Sequence, residues 1–212
     1  MPEYSIHCVE CPRLASHLAH VRERFRGYHA RPVAPFGDSK ARLLIVGLAP
    51  GMHGANRSGR PFTGDHAGIL LYRTLHRYGL ASSAESIARN DGLELFDCRI
   101  TNAVKCLPPE NKPTPGEVKT CNRYLHHELQ GLPAGAVILA LGQIAHKAVL
   151  QAFGHKQSLF KFAHGAEHEL PNGMRLIDSY HCSRYNTQTR RLTESMFETV
   201  VARATKLLKR KP

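Results

Sequence analysis

Two short runs, LLIV at 43–46 and AVILAL at 136–141, are apolar at every position, with no alternation. A strand with one wet face alternates apolar and polar residues; a strand covered on both faces does not have to. Such strands belong to parallel sheets, which need helices on their faces, and the remaining sequence supplies them. In CPRLASHLAHVRERF, apolar residues fall at Leu14, Leu18, Val21 and Phe25, the spacing of one helix face. HAGILLYRTLHRYGL reads as a second helix, with Asp65 placed to cap it. Thr114, Pro115 and Glu117 spell a capping box with proline at the first helical position, opening a helix that runs to about Gln130. QIAHKAVLQAFG is a fourth helix, closed by Gly154, and LTESMFETVVARATKLLKRK is the last, with Thr193 near its start. DCRITNAVKCLPP and MRLIDSYHCS are the remaining strands, and 155–173 is an irregular stretch that suits a hairpin.

Strands alternating with helices predict one α/β domain over residues 1–212: a three-layer α/β/α sandwich around a mainly parallel, four-stranded sheet. In such sheets ligands bind beyond the carboxyl ends of the strands. Three strands end in unusual polar segments, 47–65, 101–106 and 180–186, which are expected to converge on one cleft.

The charge balance narrows the ligand. Lys and Arg number 29 against 17 Asp and Glu, a net +12 that favours an acidic partner, nucleic acid first. There is no apolar run of membrane-spanning length and no basic-then-apolar leader, so a cytoplasmic location is expected. In that compartment six cysteines are ligands or small apolar residues rather than disulfides.

The segment GLAPGMHGANRSGRPFTGD, 47–65, lacks both the Gly-Lys-Ser/Thr of a phosphate loop and the G-x-G-x-x-G of a dinucleotide fold. Its glycines let backbone approach a flat ligand closely. Phe62, close before Asp65, puts an aromatic ring beside a carboxylate at a strand end. On spacing alone, Phe62 serves equally as a core residue and Asp65 as a plain helix cap. Cys8 and Cys11 form Cys-x-x-Cys, and Cys106 and Cys121 flank a proline-rich loop; the four suit zinc or an iron–sulfur cluster, and spacing does not choose.

Three motifs in order carry a resemblance. GLAPGMHGANRSGRPFTGD resembles the first motif of the family 5 uracil-DNA glycosylases, TNAVKCLPPENKPTPGEVKTC their middle segment, and YHCSRYNTQTRRLT their second motif. The resemblance spans Cys8 to Thr193. Gly51 stands where alanine is usual, Cys182 where a smaller or cyclic residue is expected, and Arg190 where glycine is expected. The resemblance implies a structural 4Fe–4S cluster on Cys8, Cys11, Cys106 and Cys121, leaving Cys98 and Cys182 as unliganded thiols.

It also implies a monomeric base-excision enzyme. It would flip uracil, together with other damaged bases such as hypoxanthine, out of double-stranded DNA and hydrolyse the N-glycosidic bond. Breaking that bond builds positive charge on the sugar and negative charge on the base. Asp65 is expected near the sugar or the attacking water. His181 is expected as donor to the leaving base, and Asn102 as holder of the water or reader of the base edge. Phe62 would stack on the base against backbone of Gly47, Ala49, Pro50 and Gly51. The loop Ser183, Arg184, Tyr185 and Asn186 would enter the duplex, with Arg57, Arg60, Arg190 and Arg191 on phosphates. Two other readings are weaker: a non-catalytic nucleic-acid binder built on a metal knot would not need Asp65 at a basic cleft, and a hydrolase of small nucleotides or nucleosides is disfavoured by the net charge and the arginine-rich loop after His181.

Overall fold

The computed structural model describes residues 4–208. Its elements run α1 (Pro12–Arg24), β1 (Phe36–Gly37), β2 (Leu43–Gly47), α2 (Ala55–Ser58), α3 (His66–Arg77), β3 (Cys98–Asn102), α4 (Pro115–Gln130), β4 (Val137–Leu141), α5 (Gln143–Ala152), β5 (Glu167–Glu169), β6 (Arg175–Ser179), α6 (Arg184–Gln188) and α7 (Glu194–Leu208). The last residues of the helix expected at the C-terminus, 209–211, lie outside the described ones.

The sheet order is β1-β3-β2-β4-β6-β5. The four expected strands form its parallel centre, but the sheet has six: β1 and β5 add antiparallel edges. Both edge strands are too short for a periodic pattern to show in sequence. The stretch 155–173 does supply a hairpin, with Glu167 pairing Ile177.

Successive residues of the central strands feed opposite cores. Leu43, Ile45, Val137 and Leu139 pack with α3 and α7 on one face; Leu44, Val46, Ile138 and Ala140 pack with α4 and α5 on the other. That is why the runs at 43–46 and 137–141 do not alternate. The helix signals hold at atomic level. Asp65 Oδ1 accepts from the Gly68 amide at 2.8 Å, and Thr114 and Glu117 make the reciprocal capping box. No helix among the described residues is long and apolar enough to cross a membrane.

A third, smaller core joins α1 to the segment after β3 and to α4. Leu14, Leu18 and Val21 meet Val104, Leu107 and Tyr124 there, together with Cys106 and Cys121. The expected strand through Pro109 stops at Asn102, because the chain then bends to deliver Cys106 into this cluster. Lys105 anchors the bend: its buried ammonium pairs with Glu128 of α4 at 2.6 Å.

Candidate active site

The carboxyl ends of β2 and β3 lie side by side, with Gly47 opposite Asn102. A Cβ on Gly47 would stand 2.4 Å from Asn102 Oδ1 and 2.8 Å from the Phe62 ring, so only glycine fits between them. Asn102 is 3% exposed, and its Oδ1 has no hydrogen-bond partner. An unpaired buried acceptor carries a desolvation cost of about 1–3 kcal/mol, which a donor on a ligand would relieve.

Phe62 is buried with φ +53°, a left-handed conformation that costs a non-glycine residue about 1–3 kcal/mol. Its surroundings enforce that conformation. The Tyr72 hydroxyl donates to the Pro61 carbonyl at 2.7 Å, and Gly68 packs so tightly on the Phe62 carbonyl that a Cβ there would stand 1.9 Å away. So held, the Phe62 ring stacks on the His181 imidazole, centroids 5.9 Å apart at 28°.

His181 follows β6. Burial pushes its pKa down to about 4, so the ring is neutral near neutral pH. Its carbonyl accepts from the Asn186 side-chain amide at 2.8 Å, and Ser183 caps α6 through the Asn186 amide. These two expected DNA contacts therefore use polar groups to shape the His181 loop. His66 Nε2 meets Thr187 Oγ1 at 2.9 Å, tying α6 to α3.

Asp65 caps α3 with one carboxylate oxygen and presents the other to the 47–65 loop. Oδ1 is spent on Gly68; Oδ2 faces Gly54, where a Cβ would stand 2.4 Å away, and Gly51, where it would stand 3.9 Å away. Burial raises the Asp65 pKa, partly offset by the Gly68 hydrogen bond. Asp65 also lines a groove of about 590 Å³ with Arg57, Arg73 and Arg184.

Comparison with known proteins matches the chain to one family. Residues 34–205 match the family described as the uracil DNA glycosylase superfamily. The chain belongs to the uracil-DNA glycosylase superfamily. It is 50% identical over 205 residues to a type-5 uracil-DNA glycosylase of Thermus thermophilus, covering 94% of this chain and 93% of that one. It is 43% identical over 205 residues to a type-5 enzyme of Pyrobaculum aerophilum, covering 94% and 88%. A type-4 uracil-DNA glycosylase of Pyrobaculum aerophilum is 36% identical over 130 residues, covering 61% and 58%.

In this superfamily member one expected phosphate contact is corrected. Arg60 is 3% exposed, and its guanidinium is committed internally. It binds Asp91 through both terminal nitrogens at 2.8 and 2.6 Å, Thr63 at 2.8 Å and Ser86 at 2.6 Å, and lies 4.8 Å over the Phe36 ring. Arg60 cross-links the 47–65 loop to the segment before β3 and holds Asp91 well below the usual carboxylate range. Sequence could not show this, because Asp91 is 31 residues away and in no motif. Ala49 is also redirected: it packs on the α1 cluster, leaving its backbone to the site. Arg57, Arg184, Tyr185 and Arg190 are exposed as expected, Tyr185 to 69%. Arg191 lies 4.8 Å over the Tyr180 ring, next to His181.

Cys8, Cys11, Cys106 and Cys121 line one enclosed cavity between α1, the bend after β3, and α4. The Lys105 amide donates to Cys121 Sγ at 3.3 Å. Cys98 and Cys182 lie elsewhere, wholly buried.

Proposed function

We propose that this chain is a DNA glycosylase that extrudes a deaminated base from double-stranded DNA and hydrolyses its N-glycosidic bond, leaving an abasic site. Its superfamily membership and its similarity to enzymes named type-5 uracil-DNA glycosylases support this reading. The observation that carries the substrate class is the unpaired Oδ1 of Asn102. Deamination turns a ring nitrogen that accepts a hydrogen bond, in cytosine or adenine, into an N–H that donates one, in uracil or hypoxanthine. A fixed acceptor at the base edge rewards that change and leaves cytosine and adenine facing it lone pair to lone pair.

The extruded base packs against the Phe62 ring and the backbone of the 47–51 segment, with its edge on Asn102. As the bond breaks, ionised Asp65 stabilises the cationic sugar or directs water to it. Neutral His181 donates a hydrogen bond to the departing base, an effect worth about 2.7–4 kcal/mol for one positioned donor. Arg57 and Arg184, which line the Asp65 groove, hold flanking phosphates, and Tyr185 occupies the space left in the duplex. The enzyme acts as a single chain.

The four-cysteine cavity fits a 4Fe–4S cluster. Four thiols converge there, one already receiving a backbone N–H. The cluster supplies a cross-link between the N-terminal segment and α4. Ala49 and Met52 pack against the same cluster of residues, so the link also steadies the 47–65 loop.

The test is a set of duplexes carrying one uracil, one hypoxanthine or only normal bases, incubated and then treated with alkali. Strand breaks at uracil and hypoxanthine, abolished in Asn102→Ala, are expected. Equal binding of all duplexes with no alkali-labile site would overturn the reading in favour of a non-catalytic binder.

A further inference from the structure

Behind the sheet end that delivers His181 lies a second cluster of chemistry-bearing side chains. Asp178 on β6 is 0% exposed and faces two histidines. His146 Nδ1, from α5, is 2.8 Å from one carboxylate oxygen; His168 Nε2, from β5, is 3.1 Å from the other. No lysine or arginine pairs with Asp178 among the described residues. The second nitrogen of His146 is fixed as well: Nε2 lies 2.9 Å from the Phe160 carbonyl. A carbonyl only accepts, so Nε2 carries the proton. The Nδ1 lone pair then points at a carboxylate oxygen, an arrangement that demands positive charge between them.

We propose that His146, His168 and Asp178 form a binding site for a divalent transition-metal ion of the zinc class. The three ligand atoms come from three different elements and all lie within 4.8 Å of one another. Two imidazoles and one carboxylate are a zinc donor set; with Zn–N and Zn–O of about 2.0–2.2 Å the nitrogen–oxygen edges would be about 3.3 Å, against 2.8 and 3.1 Å for the two histidine–Asp178 contacts. Metal-bound histidines characteristically donate their other N–H to a carbonyl or carboxylate, which is what His146 does to Phe160. Phe162 stands edge-on to His146, and Phe160 edge-on to His168, walling the site with apolar rings. The site is separate from the four cysteines and needs no contact with DNA. The ion would clamp the β5–β6 hairpin to α5, three residues ahead of His181 in the chain.

The experiment is a titration of tag-free protein, cysteine group intact, with Co²⁺ and then Zn²⁺. One equivalent of Co²⁺ is expected to give a visible band without the thiolate charge transfer that cysteine ligation produces. Zn²⁺ should displace it and raise the thermal midpoint by mass action. His168→Ala is the main variant, because His168 sits at the rim and its loss leaves the core intact. It should weaken Co²⁺ binding by at least about a hundredfold and abolish the Zn²⁺-dependent rise in midpoint, and Asp178→Asn should do the same. Absence of the nitrogen–oxygen band, or equal binding by wild type and His168→Ala, would overturn the proposal.

Discussion

Gly47 and Asn102 stand directly opposite each other at the ends of neighbouring parallel strands, so close that a Cβ on Gly47 would lie 2.4 Å from Asn102 Oδ1. Strand register alone puts an amide side chain against bare backbone, beneath the Phe62 ring. Gly47→Ala is therefore expected to displace Asn102 and Phe62 together. Uracil release should fall by at least about a hundredfold, while overpacking costs about 1–3 kcal/mol of stability. Single-turnover assays and denaturant melts read the two effects separately.

Asp65 has to be ionised to stabilise a cationic sugar. Burial raises its pKa, so the rate should fall as pH drops through a value above the ordinary carboxylate figure of about 3.9. Asp65→Asn should lose about 10²–10³ in rate and the acid limb with it, while still binding uracil-containing duplex. An unchanged pH–rate profile in that variant would remove Asp65 from the chemistry.

His181 links pH to stability. Its pKa falls from 6.5 to about 4 on folding, so the unfolded chain binds the proton first. Stability tied to this group is fully present above pH 6.5 and lost as pH falls toward 4, by up to about 3 kcal/mol. In His181→Gln, urea midpoints measured across that range should decline less steeply than in wild type.

Arg190 has φ +56°, a backbone conformation that costs a side-chain-bearing residue about 1–2 kcal/mol. Arg190→Gly should raise stability by about 1 kcal/mol. If Arg190 meets a phosphate, the same change should make the salt dependence of DNA binding shallower by about 0.9 in log–log slope. A more stable variant with an unaltered slope would assign Arg190 no role at the DNA.

Arg57 and Arg60 should separate cleanly despite lying in one motif. Arg60→Ala strands Asp91 and should destabilise the fold by about 3–5 kcal/mol. Arg57→Ala should leave the melting curve in place and lower the salt slope by about 0.9. Measuring both quantities on both variants checks the reassignment of Arg60.

The sequence by itself determined the local and periodic features. Unbroken apolar runs mark β2 and β4 because both faces of those strands are covered. Asp65, Thr114 and Glu117 mark helix starts because caps bond within three residues. Asp65, Phe62, Asn102 and His181 were singled out by the motifs through the family they resemble; spacing alone made Phe62 a core residue and Asp65 a plain cap just as readily. Tertiary structure decided whatever depends on partners distant in the chain. It buried Arg60 on Asp91, placed the Phe62 ring on His181, turned Ala49 toward the α1 cluster, and drew His146, His168 and Asp178 together from three elements. A charge or a ring in a sequence carries no record of what will face it. Only the packed chain fixes whether an arginine meets a carboxylate or the solvent, and that contact decides its chemistry.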